Sequence, residues 1–282
     1  MIVFKGNDRF AYRDPACVLF GDTYCLFFTV SEKQDGYLYN RIGMSKSKDL
    51  VSWTEPVLIT VKDLDLNYCS PGNIIKREDD YIICFTSYPM PFKYSVRDHA
   101  DETARLFTMS TKDFESFTEP VMLLTKGDTP ARDLGRMIDP YMIEKGEEYF
   151  LFYKQNGVSL SKSRDLENWE YIGHTDGGEN ACVIKHDGKY LLIHSPENGI
   201  GFKCSDDLEH WTDCGHTTLG QDIKAMPQSR LTAGFAMEAD MGSPHKYIMF
   251  YHISQNRDPE THGDASLCVA FTDDFETYYY DI

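Results

Sequence analysis

Two short phrases, each written five times along the chain, limit what it can fold into more than any other feature. The first is a polar turn, a tyrosine and an apolar run, as in Gly146-Glu147-Glu148-Tyr149-Phe150-Leu151-Phe152-Tyr153, and it recurs around Tyr24, Tyr81, Tyr190 and Tyr247. The second always follows it: an Asp, then Leu or Phe, then an aromatic four places after the Asp, at Asp49 to Trp53, Asp113 to Phe117, Asp165 to Trp169, Asp207 to Trp211 and Asp274 to Tyr278. A polar turn feeding an apolar run reads as a hairpin leading into a buried strand. The Asp phrase reads as a tight turn whose two apolar side chains fold back on the sheet. Because it repeats in every unit, this Asp is read as structural, and Trp53, Trp169 and Trp211 as packing residues.

A unit of strand, hairpin, strand, loop, strand, Asp-turn and last strand, returning every 40 to 70 residues or so, predicts an all-β fold. Five copies make a five-bladed β-propeller, with antiparallel four-stranded blades around a central channel. The blades are expected roughly at 10–62, 66–126, 135–175, 178–218 and 229–282, in a single domain. The last unit stops just after its Asp-turn, so residues 1–6, with Ile2-Val3-Phe4, are expected to close the last blade. Two stretches exceed what the repeat needs, Pro89 to Thr103 and Asp128 to Gly135, and long loops of this kind often carry function. Tyr88, Phe92 and Tyr94 in the first are candidates for a substrate platform.

Charge narrows the partners. With 45 acidic against 28 basic residues and a net charge of −17, the chain does not suit nucleic acid or an anionic membrane, which need clustered Lys and Arg. No apolar run approaches the ~20 residues of a membrane span, and the amino end lacks a signal-peptide apolar region. As given, the chain reads as cytoplasmic, a reading that a removed leader would alter. The eight cysteines form no zinc-type cluster, so no residue is assigned to a metal and reduced thiols are expected, with one or two disulfides as the alternative.

Chemistry should collect where the first strand of each blade begins, because these strands line the channel. Aligned on the repeated Tyr, Asp14-Pro15 and Asp139-Pro140 stand ten places ahead of it in units one and three, with Asn180 at that place in unit four and Glu179 one residue earlier. Asp before Pro is a common turn initiator, yet only two of the five units carry it. A purely architectural Asp should recur in all five. Asp14, Asp139 and Glu179 are therefore expected to share one pocket, where like charges raise one another's pKa. Such a set suits hydrolysis of a glycosidic bond, one acid protonating the leaving oxygen and a second carboxylate activating water or attacking carbon. Arg13 and Arg136 could hold a carboxylate ionised. The residues ending each second strand, Thr29, Thr86, Lys154, Ser195 and His252, are polar and are candidates for sugar contacts.

In order and placement, Arg13-Asp14-Pro15, Ser70-Pro71-Gly72-Asn73, Ile138-Asp139-Pro140 and Glu179-Asn180-Ala181 resemble the strand starts of the five-bladed glycosidases of glycoside hydrolase family 43. The correspondence covers essentially the whole chain through its blade repeats. Two positions depart: Asn-Ala follows the Glu where the family usually has Gly-Pro, and Arg230 stands near where the family has a central histidine. The resemblance implies an inverting glycosidase of arabinofuranosyl- or xylosyl-containing oligosaccharides, with Asp14 as general base, Asp139 tuning and orienting the acid, and Glu179 as general acid. Glu197 and Glu238 compete for the acid role. Arg13, Asn73, Arg136, Asn180, Arg230 and His252 are the expected substrate-binding set. No cofactor is required on this reading, although the family often holds calcium or another ion in the channel. Retaining hydrolysis, phosphorolysis and a non-catalytic carbohydrate-binding propeller are the alternatives.

Overall fold

The structure, a computed structural model, describes residues 1–89, 103–220, 230–240, 242–254 and 264–281. After β1 (Ile2–Phe4), strands β2 (Phe10–Phe20), β3 (Thr23–Gln34), β4 (Tyr37–Ser47) and β5 (Val57–Leu58) form the first sheet in sequential order. The second is β6 (Tyr68–Arg77), β7 (Asp80–Ser87), β8 (Arg105–Thr111) and β9 (Val121–Met122). The third is β10 (Ile138–Lys145), β11 (Glu148–Lys154), β12 (Val158–Ser163) and β13 (Glu170–Thr175), and the fourth is β14 (Glu179–His186), β15 (Lys189–Ser195), β16 (Ile200–Ser205) and β17 (Thr212–Thr217). In the fifth, β18 (Arg230–Glu238), β19 (Tyr247–Ser254) and β20 (Ser266–Thr272) are followed at the outer edge by both β1 and the short β21 (Tyr278–Tyr279). All pairings are antiparallel, and the chain is a five-bladed β-propeller. The amino-terminal strand fixes Ile2 opposite Cys268, so the first and last segments meet on one blade.

The Asp phrase is the fastener between blades. In each copy the Asp carboxylate accepts the N–H groups two and three residues on, as Asp165 Oδ1 does from Glu167 at 2.9 Å and Asn168 at 2.7 Å. The next residue, Leu50, Phe114, Leu166, Leu208 or Phe275, sits at φ between 54° and 73° and buries its side chain. That conformation strains a residue with a Cβ, and packing against the preceding blade offsets it. Phe114 lies 6.0 Å from Phe27, Trp211 5.7 Å from Phe152 and Phe275 5.8 Å from Phe202, ring centre to ring centre. Trp53, Trp169 and Trp211 donate their indole N–H to the backbone of the same turn. They are packing residues.

Six cysteines are free and buried, and Cys204 and Cys214 form a disulfide across β16 and β17, at the outer side of blade four. Reduced thiols hold for the six in or beside the strand cores. The one bridge joins the two that lie on neighbouring outer strands.

Candidate active site

Every innermost strand breaks register at one point, between Arg13 and Ala16, Cys69 and Asn73, Ile138 and Tyr141, Glu179 and Cys182, and Thr232 and Phe235. At each break one residue takes a left-handed φ: Asp14 at 50°, Ser70 at 47°, Asp139 at 54°, Asn180 at 55° and Ala233 at 54°. A β-bulge leaves one residue out of the ladder and re-aims its side chain. Asp and Asn tolerate this backbone better than other residues with a Cβ. Pro15, Pro71 and Pro140 follow directly, where an N–H would have no ladder partner. All five bulge residues line a single cleft at the channel. The inner strands approach so closely there that a Cβ on Gly72 would fall 1.3 Å from the Pro140 carbonyl oxygen.

The bulges bring the acids together. Asp14 and Asp139 are 4 % and 5 % exposed. Asn180 joins them: its N–H donates to Asp139 Oδ2 at 3.1 Å, and its side-chain amide nitrogen lies 3.5 Å from Asp14 Oδ1. Glu179, whose side chain is 36 % exposed, stands at the rim between Arg136 at 3.5 Å and Arg230 at 3.7 Å. Arg13 reaches Asp14 Oδ1 at 3.7 Å.

Two aspartates with the same local sequence differ in acidity. Burial by itself would raise the Asp14 carboxyl, but the Arg13 guanidinium, the His252 ring and the hydroxyls of Thr29 and Ser70 together hold it below the usual range. The Asp139 carboxyl is pushed up to about 7, first by burial and then by the charges of Glu179 and Asp14, with the Asn180 N–H and the Ser70 hydroxyl opposing. The cleft thus holds one ionised and one reluctantly ionised carboxyl at neutral pH.

Several expected sugar contacts are internal clasps instead. In each blade the residue paired one place before the bulge is Thr29, Thr86, Lys154, Ser195 or His252. Four of these accept the bulge N–H of the next blade: Thr29 from Ser70 at 2.7 Å, Thr86 from Asp139 at 3.0 Å, Ser195 from Ala233 at 2.8 Å and His252 Nδ1 from Asp14 at 3.2 Å. All four are at most 3 % exposed, too buried to meet a ligand. Thr29 also donates to Asp14 Oδ2 at 2.9 Å, and Ser70 donates to the same oxygen at 3.3 Å. Burial lowers His252 to about 3, so it stays neutral and keeps its acceptor nitrogen. Asn73 is also withdrawn from substrate: it is buried, donates to the Met142 carbonyl at 2.6 Å and accepts the Met142 N–H at 2.8 Å, joining blades two and three.

Of the expected set, Arg13, Arg136, Asn180 and Arg230 remain around the acids. Ser70 was the unassigned member. Its offset of eleven from Tyr81, against ten in units one, three and four, hid its equivalence to Asp14. Glu238 ends β18 at the far end from Arg230, and Glu197 is exposed in the turn between β15 and β16. Tyr88 follows β7 and is partly buried, while Phe92 and Tyr94 lie outside the described residues. An ion held by a channel histidine does not fit, because His252 Nδ1 is already bound to the Asp14 N–H. Among the described residues no three His, Cys, Asp or Glu side chains are grouped to hold a metal.

A family model described as a probable glycosyl hydrolase domain, related to glycoside hydrolase family 43, matches residues 32–197. The chain belongs to this family. Solved structures share the fold at low identity. A lysine-to-serine variant of the family 43 protein BlXynB from Bacillus licheniformis matches at 16 % identity and a TM-score of 0.67, over 99 % of this chain and 57 % of its own. An exo-β-1,3-galactanase from Clostridium thermocellum matches at 15 % and 0.67, over 96 % and 62 %. An exo-1,5-α-L-arabinanase from a bovine ruminal metagenomic library matches at 14 % and 0.66, over 96 % and 95 %. The chain spans less than two thirds of the length of the first two. No curated protein matches it.

Proposed function

We propose that the chain hydrolyses a glycosidic bond with inversion, on oligosaccharides bearing arabinofuranosyl or xylosyl units. The observation that carries this reading is the meeting of Asp14 and Asp139, from two blades, in one cleft with opposed acidities, beside Glu179 from a third. Carboxyls whose surroundings push their acidities apart can take different roles in one site: the low one suits the base, and the raised one supports the group that acts as acid. Asp14, ionised by Arg13 and two hydroxyls, takes the proton of the attacking water. Glu179, at the rim, gives a proton to the leaving oxygen. Asp139 accepts the N–H of the peptide that joins Glu179 to Asn180, which orients the acid. Arg13, Arg136, Arg230 and the Asn180 amide are the groups left to contact sugar hydroxyls. The preference for pentoses follows the family resemblance.

A panel of dinitrophenyl glycosides, alkyl glycosides and oligosaccharides of arabinofuranose, xylose and galactose tests the reading, each assayed on wild type and Glu179→Gln. A general acid matters least when the leaving group is already acidic. The variant should therefore lose activity on alkyl and oligosaccharide substrates while keeping much of it on dinitrophenyl glycosides. Proton NMR of the first product should show the inverted anomer. Equal losses for all leaving groups would remove Glu179 as the acid, and a retained anomer would overturn inversion.

A further inference from the structure

The clasp that joins each blade to the next fails at one junction. At the end of β11, opposite Ile138, where the other blades carry Thr29, Thr86, Ser195 and His252, blade three has Lys154. An ammonium has three donors and no acceptor. It cannot take the bulge N–H of Asn180, and its Nζ donates instead to the Gly177 carbonyl at 2.9 Å, on the segment that leads to Glu179. The Asn180 N–H goes to Asp139 Oδ2. Of the five bulge N–H groups, this one is bound by a carboxylate of the cleft.

We propose that Lys154 is a positioning residue for Asp139: by standing where an acceptor stands in every other blade, it leaves the Asn180 N–H to the Asp139 carboxylate and ties that acid to the peptide carrying Glu179. Asp139 is faced by Glu179 from β14, Asp14 from β2 and Cys69 and Ser70 from β6. Arg136 precedes it and Lys154 flanks it on β11. The Asn180 N–H is a backbone donor that favours the ionised form against the two carboxylates. A hydroxyl at position 154 would compete for that N–H and remove it from Asp139. The consequence for catalysis rests on the proposed function, but the contact itself does not.

The test is carbon NMR titration of aspartate carboxyls in the full chain without substrate, for wild type, Lys154→Ser and Lys154→Met. Both variants lose the charge, and only serine adds an acceptor. The Asp139 midpoint of the serine variant should lie about half to one pH unit above that of the methionine variant, the size of one net hydrogen bond. Equal midpoints in the two variants would overturn the proposal. The wild type gives a second reading that needs no substitution: the Asn180 amide proton should shift with the Asp139 midpoint, and that of Ala233, bound to the Ser195 hydroxyl, should not. An Asn180 amide indifferent to that titration would also overturn it. Absence of glycosidase activity would count against the proposed function and leave these titrations standing.

Discussion

Asp14 and Asp139 occupy the same place in two blades, share the left-handed backbone and the following proline, and are equally buried. Their carboxyls nonetheless move in opposite directions. The bulge aims both side chains into the channel. What separates them is the company each keeps: Asp14 meets Arg13 and Thr29 of its own blade and Ser70 of the next, and Asp139 meets the carboxylates of Glu179 and Asp14 and a backbone N–H, all from other blades. The bulge sets where an acid stands, and the preceding residue together with the other blades sets what it can do.

The largest expected effect breaks the pair by removing charge. Asp14→Asn should lower kcat by about 10⁴, near the upper end for a group that transfers a proton in the transition state, and Asp139→Asn by about 10², near the lower end. Steady-state rates on the best substrate of the panel decide it. A larger loss at Asp139 would reverse the roles.

Next comes stability. Asp139 titrates higher in the fold than the ordinary carboxylate value, so the folded chain holds a proton that the unfolded chain releases between that value and about pH 7. Stability linked to this group is full below the window and falls as pH rises through it. Asparagine, which never ionises, escapes that loss. The Tm of Asp139→Asn relative to wild type should therefore climb between pH 5 and pH 8. A gap that stays flat or narrows would mean Asp139 is ionised in the fold at no cost. Smaller again, Glu179→Gln removes one of the two charges that raise Asp139, and its carboxyl should titrate lower by NMR. No movement would place the Glu179 charge too far away to matter.

The ring, its five blades and the meeting of Asp14 with Asp139 were legible because turn and strand phrases repeat at fixed offsets. The clasps were not. Thr29, Thr86, Ser195 and His252 look like any polar strand end, and only the packing of adjacent blades turns each inward onto a neighbour's bulge N–H. Asn73 was misread for the same reason: its partner, Met142, lies 69 residues away in another blade. Ser70 shows the opposite limit, since one inserted residue in its unit shifts an alignment that the backbone φ restores.

The smallest effect on activity should come from the aspartates that recur in every blade, which sharpen what is distinctive about the other two. Asp165 is also held low, first by the backbone N–H of Asn168 and then by the Asn168 side chain. Those partners belong to its own turn, and it lies at the solvent-facing side of the blade, so no substrate proton passes near it. Asp165→Ala should lower Tm by a few degrees, because Leu166 would lose the turn that holds its positive φ over buried Trp169. Its kcat and its pH profile should match wild type. A shifted pH profile would mean that the turns communicate with the channel, and then acidity at Asp14 and Asp139 would not be set by the groups around the cleft alone.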